Sequence, residues 1–219
     1  LNGNLVVTEF FDIAVSPARP GVVAGGAQDN SYYKLENGAW INLVSYGAPC
    51  AIHNDGGHTL IDWSNPNVVY SRFNADLKKS IDGGNCFSAN VSNTSSLGGE
   101  FDGLKDFLLA QDLQNPNWLY LAKINNFRKI DASTNTNLST YNFNTGGYSF
   151  MEGGGSHAVQ SVSIASIAIA PSNPDIIYLA GRVGYETNKG RGVVFKSIDR
   201  GVNWTLVNTT SHNINTIAI

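Results

Sequence analysis

Ser80-Ile-Asp-Gly-Gly-Asn-Cys-Phe87 and Ser197-Ile-Asp-Arg-Gly-Val-Asn-Trp204 share one pattern, Ser-x-Asp-x-Gly-x-x-aromatic. Its chemistry is that of a tight hairpin. The carboxylate of Asp82 or Asp199 can accept backbone N–H groups across the turn. Gly84 and Gly201 suit a position of positive φ. Phe87 and Trp204 then plug the hairpin onto its sheet. Degenerate versions run over Lys34-Leu-Glu-Asn-Gly-Ala-Trp40 and from Lys129-Ile-Asp131 to Phe143. This reading puts Trp40 and Trp204 in core positions.

A second phrase precedes each of these. It is a β-branched strand, a turn containing proline and another apolar strand. The copies are Phe11 to Ala24, Thr59 to Tyr70, Phe107 to Tyr120 and Ile167 to Tyr178, with Pro20, Pro66, Pro116 and Pro174 in the turns. Asn-Pro-Asn and Asn-Pro-Asp cap such turns and fix φ. Four short strands in ~45–60 residues are the period and strand count of a β-propeller blade. The expected fold is all-β, a propeller segment of four blades at about 8–44, 45–92, 100–145 and 160–207. Residues 213–219 match the opening strand of a further blade. A closed propeller usually needs more than four blades, so the remaining ones are expected from the same or another chain.

Composition narrows the function classes. Lys plus Arg is 14 and Asp plus Glu 17, a net charge of −3, which argues against a nucleic-acid groove. No apolar run approaches the ~18 residues of a membrane span. Polarity comes instead from 26 Asn, 20 Ser and 23 Gly, turn formers that suit an extracellular β protein. Cys50 and Cys86 have two readings, one disulfide in an oxidising compartment or two buried thiols. The expected location is secreted or cell surface. Gly-x-Ser-x-Gly and phosphate-binding Gly-Lys-Ser/Thr loops are absent from the sequence.

The Ser-x-Asp-x-Gly-x-x-Trp phrase resembles the Asp-box, or bacterial neuraminidase repeat, and the likeness extends over nearly the whole chain. That superfamily includes sialidases, xyloglucan-cleaving glycoside hydrolases and sortilin-type receptors. The resemblance implies a peripheral, structural role for Ser80, Asp82, Gly84, Phe87, Ser197, Asp199, Gly201 and Trp204. A narrower likeness lies in Gly25-Gly-Ala-Gln-Asp-Asn30 and in Asn54-Asp-Gly-Gly-His58 before Trp63-Ser-Asn-Pro66. These segments look like secreted bacterial proteins related to the xyloglucan-cleaving enzymes. The resemblance implies that Asp29 matches one catalytic carboxylate and that Asp55 resembles the local pattern of the other. Asn30-Ser-Tyr departs from the Ile-Gly-Gly of those hydrolases, whose second acid belongs to another propeller domain. The arginine triad of sialidases has no recognisable counterpart.

Glycoside hydrolysis needs two carboxyl groups about 5–10 Å apart. Asp29 and Asp55 occupy Gly-rich segments at equivalent edges of adjacent blades, where two loops can converge. Each can equally be an Asx-turn residue, or bind ligand without catalysis. His53, Asp55 and His58 form His-x-Asp-x-x-His, but no third zinc ligand stands out, so neither metal nor cofactor is expected. Tyr32, Tyr46 and Tyr148 lie beside loops and are candidate sugar platforms, with His58 a further ligand contact. Trp118, alternating with Tyr120, reads as core. The insertion from Asn142 to Ser163 is the least repeat-like stretch, and reads as an overhang on the propeller face or a mobile linker. Two functions remain: a secreted glycoside hydrolase acting on a polysaccharide, or a non-catalytic scaffold that binds glycan or an extracellular protein.

Overall fold

A computed structural model describes residues 8–43, 50, 55–73, 76–92, 108–152, 154–159, 161–186 and 189–219. The chain divides into two compact units, Leu1–Ser95 and Ser96–Ile219. The first holds two antiparallel sheets. One is β1 (Phe10–Val15), β2 (Val23–Ala27), β3 (Ser31–Glu36) and β4 (Ala39–Asn42); the other is β5 (Gly56–Ile61), β6 (Val69–Phe73), β7 (Asp76–Ser80) and β8 (Ala89–Ser92). The second unit holds β9 (Leu108–Gln111), β10 (Trp118–Lys123), β11 (Asn126–Asp131) and β12 (Thr136–Asn142). A hairpin follows, β13 (Ser149–Glu152) with β14 (Gly155–Ala158). A last sheet comprises β15 (Ser161–Ile169), β16 (Ile177–Glu186), β17 (Lys189–Ser197) and β18 (Thr205–Thr210). Each four-stranded sheet is a meander with its strands in chain order.

The proline turns close each sheet's first hairpin by side-chain capping. Asp62 Oδ1 accepts the N–H of Ser64 (2.7 Å) and Asn65 (3.1 Å), and Asp112 Oδ1 accepts those of Gln114 and Asn115 (both 2.8 Å). The return bonds Val68 N to Asn65 O, Trp118 N to Asn115 O and Ile176 N to Asn173 O measure 2.9, 3.0 and 2.9 Å. Those bonds fix the repeat register. Opposite the next residue lie Ser80 (paired with Val69), Ile130 (with Leu119) and Ser197 (with Ile177). Ile130 therefore holds the serine position. The sequence alignment of Lys129-Ile-Asp131 on Ser80-Ile-Asp82 is one residue out of step. Asp131 instead caps its own shorter turn through Ser133 and Thr134.

The two full Ser-x-Asp turns are built alike. Ser80 Oγ donates to Asp82 Oδ1 at 2.6 Å and accepts Gly84 N–H at 2.9 Å; Ser197 Oγ donates to Asp199 Oδ1 at 2.8 Å and accepts Gly201 N–H at 2.8 Å. Asp82 Oδ1 also takes the N–H of Asn85 and Cys86, as Asp199 Oδ1 takes those of Val202 and Asn203. Gly84 and Gly201 have φ of 81° and 83°. A Cβ on either would lie 2.3 Å from Tyr32 Oη or Phe127 Cε1 of the adjoining sheet. Glycine is thus required twice over, by conformation and by contact.

Behind each glycine, one aromatic locks two sheets. Phe87 meets Tyr32 edge-on at 4.9 Å and 69°, and Trp204 meets Phe127 at 4.8 Å and 67°. Phe87 and Trp204 are 4% and 6% exposed. Trp40, expected in the core, is 52% exposed; among the described residues no aromatic from another sheet covers it. Trp118 is half-buried, with Lys129 Nζ 3.5 Å from its ring centroid and the Arg200 guanidinium 5.4 Å away. The insertion after β12 is neither overhang nor linker. A one-turn 3-10 helix, Phe143–Thr145, and the β13–β14 hairpin put Phe143 and Phe150 into the second unit's core. Residues 213–219 form no strand here; Ile217 N–H donates to Ser166 Oγ.

Cys50 and Cys86 are bonded, with a Cα separation of 5.1 Å across 36 residues. A loop of that size contributes about 4 kcal/mol in the chain-entropy model. Reduction should therefore lower the thermal transition of the first unit and leave that of the second unmoved, as followed by calorimetry with and without dithiothreitol. A reductant-insensitive first transition would deny the bridge that role.

The turn carboxylates also set an acid limit. Burial works against ionisation of Asp82, but Ser80 Oγ–H and the Cys86 and Asn85 N–H groups outweigh it and hold its pKa low. Asp199 is held low in the same way, through Asn203, Ser197 and Val202. Ser133 chiefly lowers Asp131. A folded pKa below the unfolded value of about 3.9 means stability that is complete above that value. It is lost as pH falls through the folded pKa. Urea midpoints should therefore hold from pH 6 to about pH 4 and fall below that, and Asp199→Asn should flatten that fall in the second unit.

Candidate functional site

In the first unit, β5 of the second sheet runs against β1 and β2 of the first, and glycine makes its approach to β2 possible. A Cβ on Gly26 would sit 2.1 Å from Gly57 O, and one on Gly56 would sit 1.8 Å from Ser31 O. The backbones touch there, and four polar side chains gather along the seam.

Asp29 lies in the β2–β3 turn with φ 56°, a left-handed conformation that Asp tolerates better than most residues. The turn is closed by Asn30 N to Ala27 O and by Asn30 Nδ2 to Gln28 O. Its remaining donor, Asp29 N–H, is taken by Asp55 Oδ1 at 2.8 Å. Asp55 stands immediately before β5, so one sheet's carboxylate caps the other sheet's turn. This differs from the expectation that each aspartate would cap its own loop. Asp29 is exposed and Asp55 half-buried. Among the described residues, no donor binds the Asp29 carboxylate.

His58 on β5 faces Asp12 on β1, Nδ1 to Oδ2 at 2.7 Å. Asp12 Oδ1 also accepts the N–H of Ile13 at 2.8 Å. Both side chains are part-exposed, at 20% and 34%. The sequence reading missed Asp12. The available signal was a lone carboxylate inside Phe10-Phe-Asp-Ile-Ala-Val15, opposite Gly26. The pair can fix the orientation of the imidazole.

The aromatic candidates fall away from this seam. Tyr32 is fully buried against Phe87, so its face is closed to a sugar. Burial, with Glu36 and Asp82 nearby, keeps its hydroxyl protonated far above neutral pH. Tyr148 serves the second unit's core. Its ring packs on Phe195, and its hydroxyl donates to Trp204 O at 2.8 Å and pairs with Tyr141 Oη at 2.6 Å. Tyr46 and His53 lie outside the described residues. Among the described residues, no three His, Cys, Asp or Glu side chains converge on one point as a metal site would need, and no helix is long and apolar enough to cross a membrane.

No family profile matches the chain, and no curated protein does. Solved structures do. The GH74 xyloglucanase from Xanthomonas campestris matches with a TM-score of 0.56 and 13% identity, over 90% of this chain and 29% of that one. The GH74 enzyme of Niastella koreensis gives 0.55 and 18%, over 89% and 28%. A chain of the mitotic checkpoint complex gives 0.58 and 8%, over 96% and 57%. This chain therefore spans under a third of either GH74 enzyme. At such identities the likeness establishes the fold alone: the chain is a segment of β-propeller built of four-stranded blades.

Proposed function

We propose that the chain is a secreted or cell-surface, carbohydrate-active propeller segment of the Asp-box type. It binds a polysaccharide along the β1–β5 seam, with Asp29 and Asp55 as the carboxylate pair of a glycoside hydrolase. One observation carries this: Asp55 Oδ1 meets Asp29 N–H at 2.8 Å, which holds two carboxyl groups from adjacent blades at one open edge. The xyloglucanase fold neighbour from Xanthomonas campestris makes xyloglucan the first substrate to try. His58, oriented by Asp12, is a ligand contact on the same seam. The Ser-x-Asp turns serve as peripheral blade clasps, and further blades, from this or another chain, are partners.

A second reading follows from the same contact. Asp55 Oδ1 is engaged by a backbone N–H, which suits a turn clamp in a non-catalytic scaffold that binds glycan or protein. Affinity electrophoresis in gels cast with xyloglucan tests the shared premise. The chain should be retarded, and His58→Ala should restore mobility by weakening binding at least about tenfold. Unretarded migration in xyloglucan and in other soluble polysaccharides would count against both glycan readings.

A further inference from the structure

Asn-x-Ser/Thr occurs five times, at Asn90, Asn93, Asn137, Asn203 and Asn208. In a chain with 26 Asn that number is ordinary; the placement is not. Three of the five lie inside the last strand of a sheet, Asn90 in β8, Asn137 in β12 and Asn208 in β18. These strands are 4, 7 and 6 residues long, under a tenth of the chain. Asn203 belongs to a Ser-x-Asp turn, where its Nδ2 donates to Asp199 Oδ2 at 2.7 Å. Asn93 lies outside the described residues.

The last strand is the open edge of each sheet. First strands meet within a unit, β1 with β5 and β9 with β15, whereas the last strands lie chiefly on the third strand of their own sheet. Among the described residues no strand pairs with the outer side of β8, β12 or β18. Neighbouring propeller blades pack face to face, so a further blade leaves such edges open.

Each of the three strands also carries a bulge at its Asn. The register skips one residue between Asn90 and Ser92, between Asn137 and Ser139, and between Leu206 and Asn208. A bulge breaks the ladder locally and re-aims side chains. All three Asn are exposed. Asn90 Oδ1 accepts Lys78 Nζ at 2.9 Å, which leaves its Nδ2 without a partner among the described residues. Asn137 Nδ2 gives one N–H to Thr140 Oγ1 at 2.8 Å and keeps its second. By contrast β4, whose register is unbroken, contains no such triplet. The three strands also lack Lys, Arg, Asp, Glu and Pro, which elsewhere blunt sheet edges. Beside the Asn, Leu138 and Val207 are 45% and 47% exposed.

We infer that Asn90, Asn137 and Asn208 are N-glycosylation sites, and that their glycans cover the open edges of three sheets. The donor is an oligosaccharide carried on a lipid diphosphate. The Nδ2–C1 bond forms as the bond from C1 to the diphosphate oxygen breaks, and Nδ2 gives up one proton. A linked glycan is bulky and solubilising, which suits an uncharged edge. The inference rests on the secreted or cell-surface reading and is independent of binding at the β1–β5 seam.

Peptide mapping of the chain isolated from its native source tests it. Peptide N-glycosidase in heavy-oxygen water converts each linked Asn to Asp with uptake of one heavy oxygen. The label is expected at all three positions. The same digest, run without reduction, reports the Cys50–Cys86 bridge. A bridged chain labelled at fewer than two of the three positions overturns the inference and leaves the secreted reading standing. Free thiols with no label overturn both. The covering role has its own measurement. A variant combining Asn90→Gln, Asn137→Gln and Asn208→Gln keeps the edges uncharged but bare, and unchanged circular dichroism confirms its fold. It should aggregate at severalfold lower concentration than the glycosylated chain, by light scattering. Equal solubility would overturn that role.

Discussion

Trp204→Ala should destabilise the second unit by about 3–5 kcal/mol, the range for removing a buried tryptophan. Its ring fills the space between Phe127 and Phe143 at 4.8 and 5.8 Å, and its Nε1–H donates to Gly201 O at 3.2 Å. Alanine would leave a cavity between two sheets and free a carbonyl of the Ser-x-Asp turn. Phe87→Ala should do the same to the first unit, where Phe87 touches both Tyr32 and Phe73. Trp40→Ala should cost less, about 1 kcal/mol, because its half-exposed ring packs only on Phe10 and Tyr33 among the described aromatics. Denaturant midpoints of the three variants give the comparison. Equal losses at Trp204 and Trp40 would show that burial between sheets does not set these values.

Local chemistry made most of the fold legible. The Asn-Pro turns and the two Ser-x-Asp turns each satisfy their own backbone donors within a few residues, so their sequences report their shapes directly. The signal failed where that closure was absent. Lys129-Ile-Asp131 looked like the same turn, but its cap at Ser133 and Thr134 makes a different loop, and the register slipped by one. Tyr32 and Trp40 were each misjudged because burial there depends on a neighbouring sheet, not on the strand's own alternation. Tyr32 is covered by Phe87 from 55 residues along the chain. The site divided in the same way. Asp29 and Asp55 stood out in their Gly-rich loops. The contact between them, and that between Asp12 and His58, arises only because Gly26 and Gly57 let two backbones touch.

Asp29→Asn should lower polysaccharide cleavage by about 10²–10⁴-fold, the usual share of one acid–base group, with the melting temperature unchanged. The substitution isolates the carboxylate. Asn tolerates the left-handed backbone that Asp29 adopts, and the turn is held through the Asp29 N–H, which the change leaves in place. Asp55→Asn makes the matching comparison. Its amide oxygen can still accept that N–H, so the clamp survives while the charge is lost. Asp55→Ala removes the clamp as well, leaves one donor short of its partner and should cost about 1 kcal/mol of first-unit stability. If the pair is catalytic, both asparagine variants lose cleavage in a reducing-sugar assay and keep their stability. If Asp55 serves only as a clamp, Asp55→Asn is silent and Asp55→Ala shows in stability alone. Full cleavage by Asp29→Asn would remove the carboxylate pair from the chemistry and leave the non-catalytic scaffold as the reading of this seam.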